Sequence, residues 1–276
     1  MSYKVNSDFV TLRAQRHLVQ SQRQVEKSLA SLATGRKIVR PGDDAAGFAI
    51  SESLRGQVSG TRQAQSNAEQ AMSFIQTAEG GLNEQANILI RLRELAVQSA
   101  SDTVSNRERE FLNMEFGQLK QEFDRIAQST RFGEQPLLTG SGKNFEFHVG
   151  PFAGGENVIS FRLDADTSGR RAGISSAEVN NQRAARRAIE DLDQAMGKVA
   201  EVRAQFGAAH SRFQYAVDNL AVQTENLETA RSQIVDVDVA AEVSQLTRHQ
   251  IMQDMGISVM AQAKVDAARA VRLLGF

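Results

Sequence analysis

Proline is the residue a helix interior tolerates least, and this chain of 276 residues carries only three, Pro41, Pro136 and Pro151. Positions 42–135 and 152–276 are therefore free to run as long helices. In the second stretch Ala185, Ile189, Leu192, Met196, Val199, Phe206, Phe213, Val217, Leu220 and Leu227 follow alternating steps of four and three, with polar Arg203, His210 and Thr224 in the same frame. Sustained spacing of this kind predicts coiled-coil-like packing. At about 1.5 Å per residue, a helix from near 177 to 229 is on the order of 80 Å long and needs a partner along most of its length. The first stretch supplies one. Leu54, Val58, Ala68, Met72, Ile75, Leu82, Ala86, Leu89 and Ala96 keep a similar seam after Asp44.

A break at Ser101-Asp102-Thr103 precedes another helix, with Ser105 as its N-cap and Glu108 three residues on completing a capping box. Phe111, Met114, Leu119, Phe123 and Ile126 are the expected apolar face of that helix. Glycines cluster between about 130 and 175, marking loops and hairpins. There Phe145, Phe147 and Val149 alternate with polar residues, as do Ile159, Phe161 and Leu163 across a Gly-rich loop, which predicts a β-hairpin with one apolar face. The expected fold class is mainly α, a long antiparallel helical bundle with a small β-hairpin region. Its expected parts are a terminal helical domain (1–43 and 231–276), a helical bundle (44–130 and 176–230) and a hairpin-and-loop region (131–175).

Both chain ends are amphipathic. Val5, Phe9, Leu12 and Val19, then Val25, Leu29 and Leu32, make one stripe; Val239, Val243, Leu246, Ile257, Met260, Ala267, Val271 and Leu274 make another. The central bundle need not cover either. These ends can pair with each other, pair with neighbouring molecules, or stay unfolded until assembly. Assembly is the favoured reading, because a long apolar stripe is costly to leave wet.

Chemistry-bearing patterns are absent. His17, His148, His210 and His249 are scattered without metal-ligand spacing, and no phosphate-cradling glycine loop occurs. Asp43-Asp44 after Pro41 reads as a turn and helix cap, and Asp236 and Asp238 as the start of the last helix. No catalytic, cofactor-binding or metal-binding residue is expected, and no enzyme activity. With no cysteine, thiolate catalysis and disulfide staples are excluded. The net charge of −1 gives no global pull toward nucleic acid or anionic membrane. Arg13, Arg16, Arg23, Lys27, Arg36, Lys37 and Arg40 make the first 40 residues locally basic. Without interleaved aromatics, a solvated face or an intersubunit charge match outranks a nucleic-acid arm. The polar start of the chain carries no signal-peptide core, and no stretch has the apolar length to span a membrane.

The run Ser31-Leu32-Ala33-Thr34-Gly35-Arg36-Lys37-Ile38, then Asp43-Asp44-Ala45-Ala46-Gly47, resembles the N-terminal signature of bacterial flagellins. Asn67 to Glu79, Arg91 to Ser99, Glu122 to Ala127 and Thr130-Arg131-Phe132 resemble the same family, as do Ala230 to Ile234, Asp236 to Ala240, Glu242-Val243, Gln250-Ile251 and Ser258 to Ala263 at the other end. The resemblance implies a short flagellin without large outer domains, whose two ends pair as an inner coiled coil of the filament. It implies a motility role as a homopolymer of flagellin subunits, with Val5, Phe9, Leu12, Leu29, Leu32, Val243, Leu246, Ile257, Met260 and Leu274 carrying assembly. It further implies a flagellar export chaperone, the type III export apparatus, and filament cap and hook-junction proteins as partners. An extracellular filament reached without a cleaved signal peptide follows from the same resemblance. In flagellins sensed by the host Toll-like receptor, the contact patch corresponds to Arg91, Leu95, Gln98 and Glu115, which serve equally well as packing against filament neighbours. Ile90 departs from the polar Gln common in such flagellins. The alternative within the same assembly is a hook–filament junction protein.

Overall fold

The computed structural model describes the backbone of residues 7–273 and the side chains of 12–262, 264 and 265. Helices dominate it: α1 (Ser7–Thr34), α2 (Ala45–Ser99), α3 (Asn106–Ser129), the short α4 (Gly169–Ala172), α5 (Gln182–Val235) and α6 (Val239–Leu273). The strands are β1 (Arg131–Phe132), β2 (Gln135–Pro136), β3 (Asn144–His148) and β4 (Val158–Arg162). The chain divides into two compact units, one of residues 57–225 and one of residues 1–56 with 226–276.

The unit of residues 57–225 has a closed core. On α2, Ala68, Ile75, Leu82, Leu89 and Ala96 recur every seven residues and are all sequestered; on α5, Ala185, Leu192, Val199, Phe206, Phe213 and Leu220 do the same. The seven-residue period keeps one stripe of each helix facing its partner, which is why the expected coiled-coil seam forms. Helix α3 begins at the expected capping box, Ser105 with Glu108, because both groups are local to the turn they close. Its buried face meets the expectation at Leu119 and Phe123 and departs from it at Phe111 and Met114. Phe116, Phe123 and Ala127 point inward with Leu112 and Leu119 beside them, while Phe111 and Met114 are exposed. The helix is rotated so that the larger run of apolar residues four and three apart meets the core.

Strands β3 and β4 pair antiparallel, with Phe145 opposite Phe161 and Phe147 opposite Ile159. The apolar face of this hairpin lies on the helices through aromatic contacts. Phe74 meets Phe145 at 5.0 Å between ring centroids, Phe147 meets Phe213 edge-on at 5.3 Å, and Phe161 meets Phe206 at 5.2 Å. Strands β1 and β2 form a second, two-residue antiparallel pair.

In the other unit α1 and α6 lie antiparallel. The Ser21 hydroxyl donates to the His249 carbonyl at 2.8 Å, and Leu18 packs close against Gly256. The residues facing inward on α6 are Glu242, Leu246, His249, Gln253, Gly256 and Met260, again in steps of four and three. From α1 come Ala14, Leu18, Ser21, Val25 and Ser28. Serine, alanine and glycine let the backbones approach, but they bury little apolar area. Among the described residues of this unit, Ile38 and Val235 are the only large apolar side chains that are buried. Full burial of such a side chain contributes about 1.5–3 kcal/mol, whereas ordering each residue's backbone costs about 1–2 kcal/mol. The described part of the terminal helix pair therefore draws little stabilisation from apolar burial of its own.

Candidate functional site

The connections at the base of the terminal helices are held by the residues of the sequence signatures. Gly35 takes a left-handed conformation (φ +68°) and ends α1, with the Arg36 amide donating back to the Ser31 carbonyl at 3.1 Å. The chain then meets the link between α5 and α6. The Lys37 amide donates to the Val235 carbonyl at 2.6 Å, and the Val237 amide to the Gly35 carbonyl at 3.1 Å. Asp43 accepts from the Val39 and Arg40 amides at 3.2 and 3.0 Å and pairs with Lys27 at 2.9 Å. The hydrogen bond from Lys27, then the Arg40 amide, hold its carboxyl below the usual carboxylate range. Asp44 caps α2 by accepting from the Ala46 and Gly47 amides, and Asp238 caps α6 through Ala240 and Ala241. Position 47 is tight: a Cβ there would lie 2.5 Å from the capping Asp44 carboxylate and 2.8 Å from Ile38, so a larger residue would have to displace those side-chain ends.

Above this base α1 and α6 carry exposed apolar side chains among polar ones. Leu12, Val19 and Leu29 are exposed on α1, and Val243, Ile251, Met252, Met255, Ile257 and Val259 on α6. A sequence-expected assembly set lies here, and the structure divides it. Leu12, Leu29, Val243 and Ile257 point outward. Leu32, Leu246 and Met260 are half-buried. Val5 and Leu274 lie outside the described residues, and so does the side chain of Phe9. Ile251, Met252, Met255 and Val259 fall outside the stripe expected from sequence. The four-residue spacing of Ile251, Met255 and Val259 is the signal that marks them.

A second polar feature sits in the unit of residues 57–225. Arg91 of α2 reaches Glu115 of α3 at 2.8 Å and Glu94 at 3.1 Å, and the Glu115 hydrogen bond raises the guanidinium above its ordinary value. Arg91 and Gln98 are exposed. Leu95 is not: at 1% exposure it belongs to the core of this unit. Helix α3 covers that side of α2, as the Arg91–Glu115 pair marks. Ile90, Val97, Phe111 and Met114 are exposed on these two helices.

No group of three or more His, Asp or Glu side chains that could hold a metal occurs among the described residues. No helix among them is long and apolar enough to cross a membrane. What the described residues define is a class: a helical protein whose terminal helices expose apolar side chains.

Comparison with known proteins gives the particular family. Residues 5–143 match the bacterial flagellin N-terminal helical region, and residues 189–274 the bacterial flagellin C-terminal helical region. The chain is 36% identical to a flagellin of Halalkalibacterium halodurans over 271 residues, covering 98% of this chain and 99% of that protein. It is 35% identical to the flagellar filament 30.7 kDa core protein of Treponema maltophilum over 285 residues, with the same coverage. Its structure is similar to the crystal structure of Bacillus cereus flagellin, with a TM-score of 0.50 and 30% identity, covering 60% of this chain and 94% of that one. The chain belongs to the bacterial flagellin family.

Proposed function

We infer that this chain is a structural subunit that polymerises with its own kind into the flagellar filament. The observation that carries the reading is the pair of terminal helices, whose described residues expose Leu12, Val19, Leu29, Val243, Ile251, Met252, Met255, Ile257 and Val259 and bury few large apolar side chains. Burying those side chains against further copies supplies the apolar area that the pair lacks. Contacts of this kind are heterologous, and a repeated heterologous contact that does not close generates an open helical fibre. Leu12, Leu29, Val243 and Ile257 meet neighbouring subunits directly, whereas Leu32, Leu246 and Met260 shape the α1–α6 pair that presents them. Removing residues 239–276 is expected to leave a soluble protein that keeps the helices of the 57–225 unit but does not elongate filament seeds. Sedimentation and circular dichroism check this, and normal filaments from the truncated chain would contradict it.

The same properties suit export before assembly. A chain with no cysteine has no disulfide to resist unfolding, which fits passage through the type III export apparatus and an extracellular location in the filament. The apolar exterior of α6 is the segment an export chaperone would shield beforehand. A fibre of heterologous contacts leaves one unmatched face at each end, where the cap and hook-junction proteins bind. A host Toll-like receptor contact at this position reduces to Arg91, Gln98 and Glu115. Exchanging Arg91 for alanine is expected to weaken the response of receptor reporter cells to monomer, and an unchanged response removes the patch.

A further inference from the structure

We propose that Met252 and Met255 are oxidation sites through which a peroxide stops the free subunit from joining the filament. The proposal rests on the filament reading above. The chain has no cysteine and no tryptophan but seven methionines, so the methionine thioether is its most readily oxidised side chain. The methionines are not equivalent. Met72 and Met196 pack against the core of the 57–225 unit, and Met260 is half-buried. Met252 and Met255 are 54% and 65% exposed and stand three residues apart on α6, beside Ile251 and Val259 on its outward apolar face. Met114 is similarly open, but it lies on α3.

The chemistry is a two-electron transfer. The thioether sulfur attacks one oxygen of hydrogen peroxide, the S–O bond forms as the O–O bond breaks, and the departing hydroxide takes a proton and leaves as water. Sulfur is oxidised and peroxide reduced. The product replaces a flexible apolar side chain with a strongly polar sulfoxide. On a face that must become dry, each sulfoxide oxygen needs a hydrogen-bond partner that an apolar neighbour does not offer. Assembly shields the same sulfurs, so the free subunit is the sensitive form, and reduction of the sulfoxides restores it.

The test treats full-length protein with hydrogen peroxide, both as free subunit and as filament, and follows each methionine by peptide mass spectrometry. Treated subunit is then offered to competent seeds, before and after incubation with methionine sulfoxide reductases. In the free subunit, oxidation at Met252 and Met255 should outpace that at Met72 and Met196, and in the filament it should slow. Elongation should fall by about tenfold or more, the order expected for burying polar groups without partners, and return after reduction. The double variant M252L/M255L, which stays apolar and helix-compatible, should elongate equally with and without peroxide, while M114L stays sensitive. Oxidised subunit that elongates at the untreated rate overturns the proposal, as does a double variant as sensitive as the natural chain. Failure of untreated protein to elongate competent seeds would sink the filament reading instead. In that case equal oxidation rates at 252, 255, 72 and 196 still overturn the site assignment.

Discussion

Arg109 is 8% exposed, and its guanidinium donates to the carbonyls of Ser99 and Ser101 and to the Asn106 side chain at 2.8–3.0 Å. Helix α2 has no basic residue in its own last turn, so a cation reaching back from α3 satisfies the carbonyls at its negative end. Arg109→Ala is expected to destabilise the 57–225 unit by about 2–3 kcal/mol, since buried acceptors lose a charged donor. Urea unfolding measures this, and a change under about 0.5 kcal/mol, the level of an ordinary surface substitution, would contradict the assignment. Sequence reading reached the neighbouring Ser105–Glu108 box because every partner lies within one turn. It did not reach Arg109, whose acceptors converge only when the turn between α2 and α3 closes. The burial of Leu95 is hidden from the sequence for a related reason: spacing along one helix does not say what covers that side.

Helices α2 and α5 were legible almost residue by residue, because a seven-residue apolar period leaves one arrangement that buries the stripe. Helix α3 was legible in extent and at Leu119 and Phe123, but not in full rotation, since Phe111 and Met114 compete with Leu112 and Phe116 for the inward face and only packing chooses between them. The connection between α1 and α2 depends on charge. Asp43 titrates below its unfolded value because of Lys27 and the Arg40 amide. A depressed carboxylate contributes stability at pH above its unfolded pKa, about 4, and that contribution is lost as pH falls through the lower folded value. Hydrogen exchange at residues 39–43 should therefore be slower in the natural chain than in Asp43→Asn at neutral pH. The two should converge as pH falls below about 4. A gap that persists unchanged at acid pH would show that the Asp43 charge does not hold the turn.

At the scale of the molecule, the sequence disclosed that the chain ends carry apolar stripes but not which residues face inward. Both sides of α6 are partly apolar: Leu246 and Met260 face α1, while Ile251, Met255 and Val259 face outward. A single chain cannot reveal what lies against the outward side, because that surface is completed only by further copies. The account rests on those copies being supplied by polymerisation. Its most direct test is electron microscopy of the purified full-length protein after a precipitating salt and short, competent filament seeds are added. Long filaments with an ordered lattice and a central channel are the predicted result. Soluble protein that never elongates the seeds would contradict the account and move the chain to a junction role at the end of a filament built by another subunit.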